Sequence, residues 1–343
     1  MKAHWKKYTL RFKQPSGTSR GILRSKDSYF LQLEKGGKTG IGECGLLRGL
    51  SVDDRPDYES RLEQLTREID KPFEVLYGDY KEFPSIQFGL EMALKDLETE
   101  NHILFNTDFT LGKARQPING LIWMGDIGFM KEQVKQRLQE GFSVLKMKVG
   151  AVGFNDEVAI LKAIRSEFSA NELQLRVDAN GAFTAAEAMD KLHRLSELSI
   201  HSIEQPIAKG QWQEMAQLCE ATPLPIALDE ELIGVFEGSR RRELLHTIRP
   251  QYIILKPSFV GGFQGSEEWM ALSEEVGAGW WVTSALESNV GLNAIAQWNA
   301  TLHNPMPSGL GTGSLYTNNF TCPLYIENGE IAYDVEGVWK INL

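Results

Sequence analysis

Apolar and polar residues follow two different patterns along the chain, and the change falls near Pro117. Before it, short alternating runs predict strands and two amphipathic stripes predict helices, with Gly- and Ser-rich turns between them. The predicted strands are residues 5–12, 29–33 and 40–43, and the predicted helices are residues 57–69 and 85–98. Ser85 is a suitable N-cap for the second helix, and residues 15–21 are predicted to form a flexible loop. The pattern therefore predicts a small α+β region.

After Pro117, apolar strand-like runs alternate with helical stretches, which is typical of βαβ units with a parallel sheet. The candidate strands are residues 118–123, 143–148, 173–178, 202–204, 226–229, 252–256, 280–283 and 308–310. The clearest helical stretches are residues 130–139, which Gly141 would terminate, 185–198 and 289–302. Eight strands favour a closed α/β barrel over a doubly wound sheet, and no GxGxxG motif follows the first strand to support that alternative.

The last part of the chain predicts a hairpin. Residues 323–334 form two strand-like runs around Asn328-Gly329, a pair that is typical of a tight turn. The hairpin comes too late to belong to the barrel, so we expect it to pack against the N-terminal region. A separate C-terminal appendage is the alternative.

Charge and cysteine content narrow the classes of function. The chain has 36 Lys and Arg against 46 Asp and Glu, a net charge of −10, which argues against a nucleic-acid partner. Its three cysteines lack the spacing of metal ligands, so reduced thiols are expected. We find no apolar signal core in the first residues and no long apolar run, so we expect a cytoplasmic protein without a membrane partner. The sequence leaves open whether the chain forms a homo-oligomer.

Three acidic residues stand at the ends of consecutive predicted strands. They are Asp178, Glu204 and Asp229, spaced by roughly 25 residues. In a parallel barrel the carboxyl ends of all strands lie on one face, and residues that share a phase point to the same side. The apolar neighbours of the three acids have the opposite phase and suit contact with outer helices. The three carboxylates are therefore predicted to converge at the mouth of the barrel.

Converging carboxylates repel one another and stay ionised only with a cation among them. Three oxygen ligands suit Mg²⁺, which keeps further positions for water or substrate, and no set of His or Cys residues suggests zinc. Alternatively, each acid caps the helix that follows it. Three acids in register favour the metal site over three separate caps.

Three lysines accompany the acids. Lys146 and Lys148 share a phase at the end of one strand, and Lys256 ends another. Paired, partly buried lysines are expected to have lowered pKa values, and a neutral lysine can act as a base near neutral pH. These lysines could instead be surface charges at strand ends. Together with a metal they suit removal of a proton next to a substrate carboxylate, with the resulting negative charge stabilised electrostatically.

The motifs KMK, RVDANG, SIEQP, ALDE and ILKP, in this order and spacing, resemble the muconate-lactonizing branch of the enolase superfamily. The resemblance implies a modified (β/α)7β TIM barrel, residues 116–320, with an α+β capping domain built from residues 1–115 and 321–343. It implies Mg²⁺, with Mn²⁺ as a substitute, bound by the three acids. It also implies that Lys148 is the base, that Lys256 opposes it, and that Lys146 contacts the substrate carboxylate. Asn180 and Glu230 are implied to support the metal ligands.

Within that branch, PSGTSRG, GIGECGLL, TSALESNVGL and GLGTGSLYTNN resemble the o-succinylbenzoate synthase family of menaquinone biosynthesis. The resemblance implies a lyase that dehydrates a succinyl-substituted cyclohexadiene carboxylate. Dipeptide epimerases need acids after the last barrel strand, and residues 310–315 contain none. N-acylamino acid racemization remains open, because the same two lysines could serve it.

The residues that contact the substrate are expected on three loops. Ser19 and Arg20 could close over the site, with Arg20 pairing with the succinyl carboxylate. Ser284 and Glu287 follow the seventh barrel strand, and Gly311 could offer a backbone N–H to an anion. A solvated loop and an ordinary turn are the plainer interpretations.

Two other classes of function are weighed against this one. A Schiff-base aldolase would use Lys256 or Lys148 but would leave the three carboxylates without a role. A binding protein on a decayed barrel would not need the complete set of charged positions.

Overall fold

The computed structural model describes residues 1–18, 21–123, 125–150 and 153–343. Its first region is an antiparallel sheet of three strands in the order β1-β2-β3, with three helices. The strands are β1 (Lys2–Thr18), β2 (Gly21–Lys35) and β3 (Lys38–Cys44), and the helices are α1 (Tyr58–Glu68), α2 (Phe73–Asp79) and α3 (Pro84–Glu98). Alternation along β2 buries Tyr29, Leu31 and Leu33 in a core with α1 and α3, whereas Phe30 joins the main core on the other face.

Two glycines of β3 allow its close packing on α3. A Cβ added at Gly42 would lie 1.9 Å from the carbonyl oxygen of Gly89, and one at Gly40 would lie 2.2 Å from that of Ala93. No side chain fits at such a distance from backbone atoms. The glycines of the GIGEC segment therefore set the distance between sheet and helix.

Two expectations for this region were wrong. Residues 15–18 continue β1 instead of forming a loop, because Ser16, Gly17 and Thr18 pair with residues 21–23 of β2 beyond a shift in register. Ser85 is not an N-cap, since α3 begins at Pro84. Instead Asp53 accepts hydrogen bonds from the backbone N–H and hydroxyl of Ser85. A carboxylate from a preceding loop thus satisfies the helix terminus, which local sequence does not reveal.

Seven parallel strands follow, ordered from β11 to β5 with each strand beside its sequence neighbour. They are β5 (Gly120–Ile122), β6 (Val144–Lys148), β7 (Gln174–Asp178), β8 (Ser202–Glu204), β9 (Ile226–Leu228), β10 (Tyr252–Leu255) and β11 (Gly279–Val282); a short β4 (Gln116–Pro117) precedes them. Single bridges join Ile118 to Ser308 and Thr283 to Gly309. Residues 308–309 therefore close the barrel as a very short eighth strand, as predicted.

Helices alternate with these strands and cover the barrel. They are α4 (Ile127–Gln139), α5 (Phe154–Glu167), α6 (Ala185–Ser196), α7 (Trp212–Ala221), α8 (Gly238–Ile248), α9 (Pro257–Val260), α10 (Gly262–Glu275) and α11 (Asn289–Thr301). Short 3₁₀ turns occupy Glu230–Leu232 and Gly313–Leu315. The main core contains Leu175, Val177, Ile203 and Leu228, so the strand residues that alternate with the acids pack outward against helices.

The predicted C-terminal hairpin is present as β12 (Leu324–Glu327) and β13 (Glu330–Tyr333), which turn at Asn328-Gly329. It packs back as expected: β13 pairs with β4, and the Tyr333 ring lies 6.1 Å from that of Phe109. The fold is thus a modified TIM barrel with an α+β capping domain. The exact boundaries at residues 115 and 320 stay a prediction.

Two further expectations concern the chain as a whole. The three cysteines are free thiols. Among the described residues, no helix has both the length and the apolar character needed to cross a membrane.

We expect Gly42→Ala to lower the free energy of unfolding by about 1–3 kcal/mol, because its methyl group would overlap the backbone of α3. Urea denaturation measures this change. Gly78→Ala in α2 is the matched control, since a Cβ there meets nothing within 4 Å. It should change stability by about 1 kcal/mol or less, in the stabilising direction. Equal stability of the Gly42→Ala variant and the unmodified protein would contradict the packing argument.

Candidate active site

Three buried carboxylates meet at the mouth of the barrel. Asp178, Glu204 and Asp229 each offer an oxygen within 4.8 Å of the others. Pairing between β7 and β8 sets Asp178 beside Glu204, and Asp229 directly follows β9. None of the three serves as a helix cap by its side chain; Asp229 precedes the 3₁₀ turn without such a bond. The predicted convergence is therefore present, and the capping alternative does not account for it.

The three lysines lie against these acids. Lys146 Nζ donates to Glu204 and lies 3.1 Å from Asp178 Oδ2. Lys148 Nζ donates to Asp178 Oδ2 at 2.5 Å, and Lys256 Nζ donates to Asp229. Lys148 ends β6 and Lys256 follows β10, so the three acid-bearing strands lie between these two lysines.

The expected lowering of the pKa was wrong for Lys146, and Lys256 shows the same direction of change. Burial does lower the pKa of Lys146 and of Lys256, but attraction to the neighbouring carboxylates outweighs it. Both pKa values therefore lie above the ordinary value for lysine. The error came from considering the lysines as a pair and leaving out the carboxylates to which Lys146 and Lys256 donate.

The pKa values of two of the carboxylates are shifted in opposite directions. Burial raises the pKa of Asp178, yet Lys148 and Lys146 outweigh it and hold that pKa well below its usual range. For Glu204, burial together with the charges of Asp178 and Asp229 raises the pKa to about 8, in spite of Lys146. Glu204 Oε1 is buried and accepts no hydrogen bond from any described residue. The unpartnered oxygen and the raised pKa both favour a cation at this point, so the donor set fits a divalent metal.

A second layer of polar groups orients the cluster. Asn180 Oδ1 accepts from Lys148 Nζ at 3.0 Å, and its Nδ2 donates to Glu230 Oε1 at 3.0 Å. The two residues suggested as supports thus contact each other and the site. Gln205 was missed: its side-chain oxygen accepts from the backbone N–H groups of Asp229 and Glu231, both at 3.2 Å. Its place directly after Glu204 is the one sequence feature that could have identified it.

A cavity of about 350 Å³ opens above the cluster. Its floor is formed by Lys146, Lys148, Asn180 and Lys256. Its walls are formed by residues from the capping region and the barrel loops. The wall residues are Gly21, Ile22, Leu23, Leu47, Arg48, Gly49, Leu50, Asn119, Leu121, Trp123, Phe259, Thr283, Ser284, Ala285, Leu286, Gly309, Gly311 and Thr312. The cavity therefore combines a cationic floor with largely apolar walls, a composition typical of small-molecule sites.

The predicted substrate contacts divide into three groups. Ser284 and Gly311 line the cavity. Glu287 does not: it is fully buried behind the wall, and its carboxylate accepts from the hydroxyls of Ser258 at 2.5 Å and Ser284 at 2.6 Å. Ser19 and Arg20 lie outside the described residues.

Several residues of the cavity wall were not predicted from the sequence. Asn119, Leu121 and Trp123 share one phase along the first barrel strand, so the argument applied to the lysines could have found them. Arg48 and Ile22 come from the capping region, and no local pattern links either of them to the barrel.

Comparison with known proteins agrees with this geometry. Residues 129–336 match the family model described as Enolase C-terminal domain-like. The o-succinylbenzoate synthase of Desulfotalea psychrophila is 46% identical, with 96% of this chain and 98% of that protein covered. The N-succinylamino acid racemase of Thermus thermophilus is 30% identical over 80% of this chain and 75% of its own length.

The crystal structure of MenC from Desulfotalea psychrophila superposes with a TM-score of 0.86 at 42% identity, covering 97% of this chain and 99% of that one. Fold, charged cluster and sequence similarity agree, and the chain belongs to the enolase superfamily.

Proposed function

We propose that this chain is a lyase with o-succinylbenzoate synthase activity. Its reaction would be the syn elimination of water from 2-succinyl-6-hydroxy-2,4-cyclohexadiene-1-carboxylate, giving 2-succinylbenzoate for menaquinone biosynthesis in the cytoplasm. The observation that carries the reaction type is the buried triad of carboxylates flanked by Lys148 and Lys256 beneath a cavity. The 46% identity to an o-succinylbenzoate synthase supports the choice of substrate.

The cofactor in this proposal is Mg²⁺, with Mn²⁺ as a substitute. Asp178, Glu204 and Asp229 would hold it, since all three present buried carboxylate oxygens to one point. When bound, the ion would stabilise negative charge that develops on the substrate carboxylate and so make the neighbouring C–H bond more acidic. It would also replace the proton that burial and like charge impose on Glu204.

Lys148 is proposed as the base. It would take the proton next to the carboxylate in its neutral form, and the electrons of the broken C–H bond would form the ring C=C bond. The C–O bond of the hydroxyl then breaks, and Lys148 returns its proton so that water departs from the same face. Asn180, which accepts from Lys148 Nζ, would keep the amine oriented during both transfers.

Lys256 and Lys146 are proposed to act by charge alone. Lys256 lies across the acid-bearing strands from Lys148, so its ammonium group could stabilise the developing anion from the other side. Its raised pKa keeps it charged, against the effect of burial, through attraction to Asp229. Lys146, also held charged, would attract the substrate carboxylate.

The charges on the cavity wall favour a dianionic substrate. Among the described residues that line it, four are cationic, namely Arg48, Lys146, Lys148 and Lys256, and none is acidic. A substrate with a ring carboxylate and a succinyl carboxylate suits that wall, whereas the ammonium group of a dipeptide would meet no carboxylate there. Ser284, Gly311, Ser19 and Arg20 remain proposed substrate contacts, and N-acylamino acid racemization remains a candidate second activity.

We expect the affinity for Mg²⁺ to rise with pH. Below the Glu204 pKa of about 8, the ion must displace a proton from that carboxyl group. The apparent association constant should therefore increase about tenfold per pH unit from pH 6 to 8 and level off above it. Calorimetric titrations across this range test the slope.

The control for this titration is Glu91→Gln, because Glu91 is a buried carboxyl group outside the site whose pKa burial also raises to about 8. It should leave the slope unchanged. An affinity that does not vary between pH 6 and 8 would contradict the role given to Glu204.

We expect Lys148→Ala to lower kcat for dehydration by about 10²–10⁴-fold, the usual contribution of a general base. Affinity for Mg²⁺ should stay near normal, because Lys148 is not a ligand. Steady-state kinetics and a metal titration measure the two quantities. Lys162→Ala, an exposed lysine on α5, is the control and should behave as the unmodified protein. Unreduced turnover by the Lys148→Ala variant would mean that another group is the base.

The substrate itself is tested with a panel. We expect kcat/KM to be highest for the succinyl-cyclohexadiene carboxylate, lower for N-succinyl amino acids, and lowest for dipeptides. Dehydration is followed by the absorbance of the ring and racemization by proton exchange in D₂O. A dipeptide as the best substrate would overturn the proposed function.

A further inference from the structure

The cavity wall contains a backbone segment in an unfavourable conformation. Residues 284–288 connect β11 to α11, and Ser284, Ala285 and Leu286 line the cavity. Leu286 has a φ of 63°, in the left-handed region that L-residues with branched side chains avoid. The bias against it corresponds to about tenfold in population. Such a conformation persists only where surrounding contacts hold it.

One of those contacts is local, since the backbone N–H of Leu286 donates to Ser284 Oγ at 3.0 Å, but the contacts on its carbonyl oxygen come from outside the loop. The carbonyl oxygen of Leu286 accepts from Tyr316 Oη at 2.7 Å and from Lys26 Nζ at 2.9 Å. Lys26 Nζ also donates to the carbonyl oxygen of Ala285 at 3.2 Å. Lys26 belongs to β2 of the capping domain, so a side chain from one domain holds a loop of the other.

Burial of the charged Lys26 side chain is energetically unfavourable, which indicates that its contacts are important. Only 3% of it is exposed. Burial lowers its pKa, against the attraction of Glu287 and Glu43. An uncompensated ammonium group at this depth would be strongly unfavourable, so its hydrogen bonds to the two carbonyls and the attraction of Glu287 and Glu43 are needed.

Lys26 also lies on the strand, β2, whose first residues form another part of the cavity wall. Lys26 pairs with Leu10, but the regular pairing of β1 and β2 shifts in register just beyond it, between Arg11 and Ser16. Past this shift, β2 carries Ile22 and Leu23, which line the cavity. Ile22 is four residues from Lys26, a separation of about 13 Å along an extended strand. Lys26 thus joins the strand that forms one wall to the loop that forms another.

We propose that Lys26 is a positioning residue that fixes the 284–288 loop against the β1–β2 hairpin and so sets the shape of the substrate cavity. Within the described part of the chain, Lys26 forms no hydrogen bond or ion pair with the three carboxylates or with the three site lysines. Its effect is therefore on the fit of the substrate and not on the metal. The kinetic part of this inference rests on the proposed function.

The kinetic experiment compares Lys26→Met with Leu286→Gly and with the double variant. Lys26→Met keeps the length of the side chain but removes its charge and donors, and it should raise KM about tenfold or more with a smaller change in kcat and unchanged affinity for Mg²⁺. Leu286→Gly removes the conformational bias that Lys26 opposes. The double variant should therefore lose less kcat/KM than the product of the two single losses. Multiplicative losses, or a KM unaffected by Lys26→Met, would overturn the inference.

A second measurement needs no substrate and so separates this inference from the proposed function. In Lys26→Met, amide hydrogen exchange should quicken about tenfold in residues 284–288 and stay unchanged in the interior of α11. Lys35→Met, an exposed lysine on the same strand, is the control and should change neither segment. Exchange that is unchanged in the loop, or that quickens equally throughout the protein, would refute a positioning role. An inactive unmodified protein with local quickening would refute only the proposed reaction.

Discussion

Three carboxylates buried at one point form the constraint on which the rest of this structure depends. Their mutual repulsion and loss of solvation must be offset by positive charge, and the barrel supplies it from β6 and from the residue after β10. Parallel pairing sets Lys148, Asp178 and Glu204 at one level of the sheet. The ammonium groups that balance the acids are therefore the same groups that would act on a substrate.

The sequence predicts this cluster because the side-chain period of a strand is two and because all parallel strands end on one face. Those two rules place Asp178 and Lys148 without any knowledge of their partners. The rules fail where a partner from elsewhere decides the outcome. The pKa of Lys146 follows from contact with Glu204, and the start of α3 is satisfied by Asp53 instead of Ser85. The placing of Arg48 and Ile22 on the cavity wall depends on domain packing, which has no local period.

The two domains divide the requirements of the site. The barrel holds the charged groups on rigid strands, where small displacements would be costly for catalysis. The capping sheet contributes apolar residues to the cavity wall. Its Lys26 and Glu43 also form hydrogen bonds with the loop after β11. Glu43 accepts from the backbone N–H groups of Ser288 and Gly291, both at 2.9 Å, so it fixes the end of the loop while Lys26 fixes its middle.

Charge balance in the site argues for the class of substrate independently of similarity to other proteins. Three carboxylates are matched by three ammonium groups, so a divalent cation leaves an excess of two positive charges, or of one when the base is neutral. While all three ammonium groups are charged, a dianion brings this small, partly buried volume to neutrality, whereas a zwitterion adds no net charge and leaves the excess of two. Arg48 lies at the half-exposed rim, but its charge is paired with Asp54 at 2.7 Å and adds little to this balance. The net charge of −10 on the whole chain does not oppose this conclusion, since screening confines exposed surface charge to about 10 Å, whereas the cluster acts at contact distance.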